Sequence, residues 1–197
     1  VKGFLVRTTT PGYAARLMTG KIAQRALASG WITLTGCRVP EADRLPGARS
    51  FADTARVLSG ARIGVAFQAV GCAMGAYEHA LRYATTRVQF DRPIAGFQLV
   101  QSMLVKMAGN VTAMLGMALR AARLQDAGRS NDALTALAKQ FCAAHCRETV
   151  QLARELMGGN GVLLEHGAAR LFCDAEAIYS YEGTNEVTSL VVGRALT

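Results

Sequence analysis

Several features that would place a 197-residue sequence at once are missing from this one. Its opening residues, Val1-Lys2-Gly3-Phe4-Leu5-Val6-Arg7, have neither the pattern of a secretory leader nor that of a transit peptide. They also lack an initiator methionine and read as the middle of a strand, which suggests a chain that begins inside a longer protein. No run of about 18 residues is apolar without charged or polar breaks, so no membrane-crossing helix is expected. The five cysteines (Cys37, Cys72, Cys142, Cys146 and Cys173) are odd in number and scattered. Cys142, His145 and Cys146 share a helical face, but no second Cys/His pair stands at zinc-site spacing, so no metal is expected. Reduced, mostly buried thiols point to the cytoplasm. A basic run is absent too. The 22 Lys+Arg against 14 Asp+Glu give a net charge of +8. Such an excess suits nucleic acid, phosphorylated ligands or an acidic partner, and without a cluster it does not choose among them.

What is present is apolar. At 51% hydrophobic and 18% charged, the chain has enough material for a large core and is not disordered. Residues 1–50 read as strand and turn, with Gly3–Thr8 and Trp31–Thr35 as strand candidates and Val39-Pro40 and Leu45-Pro46-Gly47 as punctuation. Near Ser50 the period changes. Ser50 or Asp53 can cap a helix running to about Val88, with Ile63, Phe67, Val70, Met74, Tyr77 and Leu81 on one stripe. Its glycines, Gly60, Gly64, Gly71 and Gly75, suggest close backbone packing. A second helix carries Val100, Met103, Met107, Val111, Met114 and Ala118 and ends at Gly128-Arg129-Ser130; the methionines read as core filling. A third runs from about Asp132 to Met157 with Leu134, Leu137, Phe141, Leu152 and Leu156 inward, and stops at Gly158-Gly159-Asn160-Gly161. A fourth covers about Glu165–Tyr179 and a short fifth follows Thr184. The predicted fold is mainly α, an antiparallel four-helix bundle over residues 51–197 after a short β segment over 1–50.

One stretch could bear chemistry. Tyr181-Glu182-Gly183-Thr184 joins two helical segments. Gly183 allows a tight turn and a close ligand, and Thr184 can cap the next helix. Glu182 is then a carboxylate held on a turn among apolar neighbours, as a general base requires. Taken alone, a loop carboxylate is more often simply solvated. Arg87-Val88-Gln89-Phe90 offers a guanidinium, an amide and a ring at a helix corner, groups that suit phosphate contact and stacking. Gly158-Gly159-Asn160-Gly161 exposes backbone groups that could meet an anion, although most glycine caps are only helix ends.

The order Arg-x-Gln-Phe, Gly-Gly-Asn-Gly, Tyr-Glu-Gly-Thr resembles the C-terminal helical domain of the acyl-CoA dehydrogenase family. Residues 1–50 resemble the last strands of that family's middle β-domain. Gly20-Lys21, Arg25-Ala26, Gly30, Val39-Pro40-Glu41, Leu45-Pro46-Gly47-Ala48, Ala61-Arg62-Ile63-Gly64-Val65-Ala66 and Val192-Gly193-Arg194-Ala195 are most similar to the glutaryl-CoA dehydrogenase branch. The resemblance implies an FAD-dependent oxidation of an acyl-CoA. Glu182 would take the α-proton and the β-hydrogen would leave as hydride to FAD. In the glutaryl branch, decarboxylation to crotonyl-CoA follows. Arg87, Gln89, Phe90 and Gln98 match contacts to the pyrophosphate and adenine end of a neighbouring subunit's FAD. Glu155, Leu156, Met157, Gly158 and Gly159 match a second FAD segment acting largely through the backbone, and Thr184, Asn185 and Glu186 a third. Arg62, Tyr181 and Gly183 match positions near the acyl thioester. An electron-transfer flavoprotein as electron acceptor and a homodimer or homotetramer are also implied. The chain departs from the family pattern at Asp91, where glycine is usual. It also lacks the family's N-terminal helical domain and the flavin-binding start of the β-domain, so this part alone is expected to be inactive. Short- or branched-chain acyl-CoAs are the alternative substrates. A DNA-binding or purely oligomerising bundle is the alternative of another class.

Overall fold

A computed structural model describes residues 2–197. Two compact units are present, one ending at Leu58 and one spanning Ser59–Thr197.

In the first unit, β1 (Tyr13–Leu17) pairs antiparallel with β2 (Gly30–Leu34), Tyr13 opposite Leu34 and Leu17 opposite Gly30. The second strand was legible from Trp31–Thr35. The first was not: Gly3–Thr8 forms only an isolated bridge, Phe4 to Arg44, and the partner strand lies further on. Tyr-Ala-Ala-Arg-Leu has few β-branched residues and no alternation, so it offers little strand signal. The period-2 pattern of β2 buries no face of that strand; Trp31, Ile32 and Leu34 are all exposed.

The second unit is helical. α1 (Phe51–Thr86) starts where Ser50 suggested, its first eight residues belonging to the first unit. The Asp53 carboxylate reaches back to accept from the Ser50 and Arg49 backbone N–H groups, both at 2.9 Å, which satisfies the donors just ahead of the first helical turn. After it, β3 (Val88–Gln89) and β4 (Arg92–Pro93) form a minimal hairpin. Phe90 and Asp91 sit at its tip with φ +53° and +62°, the paired left-handed conformation of a two-residue hairpin turn. α2 (Gln98–Asp126) ends at Gly128, φ +65°, with Arg129 N–H donating to Leu124 O and Gly128 N–H to Gln125 O. α3 (Asp132–Leu156) is capped by Asn131, whose side chain accepts from Leu134 N–H at 2.8 Å. Gly158, φ +58°, turns the chain into a short 3-10 segment, Gly158–Val162. α4 (Ala168–Ser180) begins later than the expected Glu165, since Leu164–His166 is a separate 3-10 turn and Gly167 adopts φ +77°. α5 (Asn185–Leu196) follows the Thr184 cap. α3 is central: α2, α4 and α5 all pack on it, and α1 joins through Ser59–Thr135 and Cys72–Leu171.

The core differs from the expected stripes in a consistent way. On α1 the fully buried positions are alanines (Ala66, Ala69, Ala73, Ala76, Ala80 and Ala84), whereas Met74 and Leu81 lie outward. On α3 Leu137 is exposed, and the buried face runs through Ala136, Ala138, Cys142, Ala143, Cys146 and Val150. Small side chains at helix contacts let backbones approach, and bulky ones flank the seam. Helical glycines do not serve that purpose here: a Cβ at Gly60, Gly64 or Gly71 would meet nothing within 4 Å, and only at Gly75 would it touch Leu171, at 3.4 Å. On α2 the expected stripe holds, with Met107, Met114 and Ala118 fully buried. The expectation of no membrane-length apolar helix needs correction. By length and composition alone, both α1 and α2 could cross a bilayer, because alanine and glycine raise their hydropathy without long side chains.

All five cysteines are free. Burial pushes the Cys142 thiol up to about 12, and a hydrogen bond with Cys72, then burial, raises Cys146 as well. The same hydrogen bond lowers the Cys72 thiol, which only its burial protects, so Ellman titration of the native chain at pH 8 should reach the half-buried Cys37 and Cys173 and leave the three buried thiols until denaturation. Three or more fast thiols would contradict this packing.

Candidate active site

The turn from Tyr181 to Thr184 joins α4 to α5, and two buried cations stand behind it. Glu182 has φ +54°, a conformation costly for a side chain with a Cβ, and Gly183 follows at φ +98°. Consecutive left-handed residues fold the chain back sharply and keep the carboxylate at the turn. Thr184 Oγ1 accepts from Val187 N–H at 3.3 Å, which starts α5. Tyr181 donates its hydroxyl to Gln68 Oε1 on α1.

Arg62 of α1 is buried. Its Nη1 lies 2.5 Å from Asp132 Oδ1 at the start of α3, and its Nε donates to Glu182 O at 3.4 Å. Lys139, on the inner face of α3, is fully enclosed. Its ammonium donates to Tyr179 O at 2.8 Å and to Gly183 O at 2.7 Å. Burial, then the positive charge of Arg62, lowers its pKa to about 8 against the attraction of Glu186 and Glu182. Glu186, at the N-terminus of α5, is held below the usual carboxylate range by its own backbone N–H and the Thr184 hydroxyl.

Glu182 Oε2 is buried and has no hydrogen-bond partner; among the described residues only Ser130 Oγ shares that condition. A buried, unpaired carboxylate oxygen costs free energy and is uncommon, and it is positioned to accept a proton.

The other sequence candidates fall into separate places. Gln89, Phe90 and Gln98 line one cleft of about 690 Å³ with Arg92, Phe97 and Leu99. There Phe90 stands edge-on to Phe97, centroids 5.9 Å apart, and the Arg92 guanidinium lies 4.2 Å over the Phe97 ring. Arg87 points elsewhere, into a cleft of about 420 Å³ with His79, Arg82, Tyr83, Asn160 and His166. The hairpin produces this split. Glu155, Gly158 and Gly159 are exposed, but Leu156 and Met157 are buried and have only main-chain groups to offer a ligand. Thr184 and Glu186 are exposed and Asn185 is half-buried. Among the described residues no group of three His, Cys, Asp or Glu could hold a metal. Sequence reasoning overlooked Lys139, Asp132 and Gln68. A signal existed for Lys139: it is the single cation among Thr135, Ala138, Cys142 and Cys146, small residues that share one helical face.

The family profile described as "Acyl-CoA dehydrogenase, C-terminal domain" matches residues 51–197. The chain belongs to the acyl-CoA dehydrogenase family. Among the proteins it resembles is acryloyl-CoA reductase (NADH) of Anaerotignum propionicum, 31% identical over 195 residues, 98% of this chain and 50% of that protein. A crystal structure of glutaryl-CoA dehydrogenase from Mycobacterium smegmatis superposes with a TM-score of 0.96 at 38% identity, over 100% of this chain and 51% of that one. A second, of a glutaryl-CoA dehydrogenase from the same organism in complex with FADH2, gives a TM-score of 0.96 at 32% identity, over 100% and 51%. The chain spans about half the length of the relatives it matches.

Proposed function

We propose that this chain is the base-bearing helical part of an FAD-dependent acyl-CoA dehydrogenase with glutaryl-CoA as substrate. The observation that carries the reading is Glu182 Oε2, buried and unpaired on a turn held by Arg62 and Lys139. The α-hydrogen of a thioester is weakly acidic, so its removal needs a desolvated carboxylate whose position is fixed before reaction. In this reading Glu182 takes that hydrogen as a proton, and the β-hydrogen leaves with its electron pair. FAD supplies the two-electron acceptor when bound.

The residues present fit the adenine and pyrophosphate end of FAD. Phe90 is a largely exposed ring beside Phe97 and Arg92, and Gly158 and Gly159 present backbone with open space where a Cβ would stand. An aromatic face suits a base, and cations and bare N–H groups suit phosphates. Arg87, Gln89, Phe90, Gln98 and the segment Glu155–Gly159 would hold that end, with Thr184, Asn185 and Glu186 beside the base. Arg62 would act from behind the turn, with Tyr181 and Gly183 nearest the thioester. The net charge of +8 favours both polyanions, FAD and CoA.

Glutaryl-CoA is preferred because of the sequence pattern and the 38% identity to the mycobacterial enzyme. Short- or branched-chain acyl-CoAs are the alternative, and the relative described as an acryloyl-CoA reductase is why the panel below includes them. Residues 51–197 form the helical domain in this reading, residues 1–50 end a β-domain, and the whole assembles as a homo-oligomer in the cytoplasm. An electron-transfer flavoprotein is the proposed electron acceptor. Anaerobic titration of the whole flavin-loaded protein with an acyl-CoA panel tests the substrate. Bleaching of flavin absorbance with glutaryl-CoA, together with crotonyl-CoA and carbon dioxide as products, supports the reading; bleaching only with butyryl- or isovaleryl-CoA replaces it.

A further inference from the structure

Lys139 is the most enclosed charged side chain among the described residues, and it takes no part in the proton and hydride transfers above. A buried ammonium is costly unless its donors are satisfied. Here they go to main-chain carbonyls rather than to a carboxylate, and the choice of carbonyls is informative. Tyr179 O belongs to the last turn of α4, where helical carbonyls lack partners; the neighbouring Ala177 O is taken by Tyr181 N–H. Gly183 O lies beyond Glu182. The two bonds thus bracket Glu182, three residues before it and one after.

We propose that Lys139 is a positioning residue that clamps the turn around Glu182 and so fixes where the base carboxylate stands. The proposal rests on the acyl-CoA oxidation reading. Three features support it. A cation at the C-terminal end of α4 meets the negative end of the helix dipole. The turn contains two successive positive φ values, a strained arrangement that persists only when its surroundings hold it. Arg62 grips Glu182 O from the α1 side, so Lys139 completes a clamp on Tyr179, Glu182 and Gly183. The charged groups facing Lys139 are Arg62 of α1, Glu182 of the turn and Glu186 of α5. With its pKa at about 8, the ammonium is still protonated at neutral pH and places a positive charge near the base.

Two variants of the whole flavin-loaded protein test this. Lys139→Met keeps the stem and removes every donor; Lys139→Gln removes the charge but keeps an N–H pair. Lys139→Met is expected to lower kcat on the order of 10- to 100-fold with KM changed by less than about threefold, the signature of a misplaced base. Amide hydrogen exchange across residues 180–184 should accelerate on the order of tenfold. Lys139→Gln should fall between wild type and Lys139→Met in both. A purely structural cap would lower the melting temperature and leave kcat per folded, flavin-loaded protein unchanged. If Lys139→Met fails to fold, exchange and the split of kcat against KM in Lys139→Gln decide. Variants that keep kcat and exchange within about twofold of wild type overturn the clamp. A wild type that oxidises no acyl-CoA overturns the functional reading instead, and exchange at the turn still decides the clamp.

Discussion

Glu182→Gln in the whole flavin-loaded protein should reduce acyl-CoA oxidation on the order of a thousandfold while leaving flavin bound. The substitution is nearly isosteric and keeps the main chain, so the left-handed turn and its bonds to Arg62 and Lys139 stay in place. What disappears is the only buried side-chain oxygen on the turn that lacks a partner and can accept a proton. Anaerobic stopped-flow bleaching of the flavin gives the rate, and the ratio of flavin to protein absorbance gives the content. Glu182→Asp should sit between, since it keeps the carboxylate but withdraws it by one methylene from its position. Glu182→Gly adds a second contrast. Glycine adopts φ +54° without penalty, so this variant should lose activity yet melt no lower than wild type. A Glu182→Gln protein that turns over within about tenfold of wild type would remove the base from this residue.

How much of this was legible beforehand depends on which signals have a local cause. The turn was readable because Gly183 and Thr184 act on their immediate neighbours: one permits φ +98°, the other caps α5. The caps at Ser50, Gly128 and Gly158 were readable for the same reason. The core was less so. On α1 the inner face is built from alanines, which a search for large apolar residues passes over, so Met74 and Leu81 were placed inside when they lie outside. The hairpin at Phe90-Asp91 read only as a helix break, because the usual Asn-Gly or Asp-Gly pair is not there; here a phenylalanine and an aspartate adopt the left-handed angles. That hairpin then sends Arg87 and Gln89 into different clefts, a separation that spacing along the chain cannot reveal. Lys139 shows the general limit. Its position on an apolar face was visible, but that its partners would be carbonyls of a turn about forty residues later depends on how α3 and α4 pack.

The second large effect concerns stability and lies at Gly161. A Cβ built there would stand 2.0 Å from Arg154 O, 2.9 Å from its carbonyl carbon and 3.2 Å from its Cα. These are backbone atoms in the last turn of α3, so no side-chain rotation relieves the clash. Either the end of α3 or the Gly158–Val162 segment must move. Gly161→Ala should therefore destabilise the second unit by about 3 kcal/mol, in the range of core overpacking, and lower its melting temperature by roughly 10 °C. Gly159→Ala two residues earlier is the control. A Cβ there meets nothing within 4 Å, its φ is not positive, and the exposed backbone should accept alanine with a change under about 0.5 kcal/mol. The same segment carries Asn160, whose amide donates to Tyr83 Oη at 2.8 Å and ties the segment to α1. A shift that accommodates the new methyl group would stretch that bond and displace the backbone proposed to face FAD. Flavin content should consequently fall in Gly161→Ala while Gly159→Ala retains it. Equal melting temperatures for the two variants would mean that the chain does not pass so close to the Arg154 carbonyl.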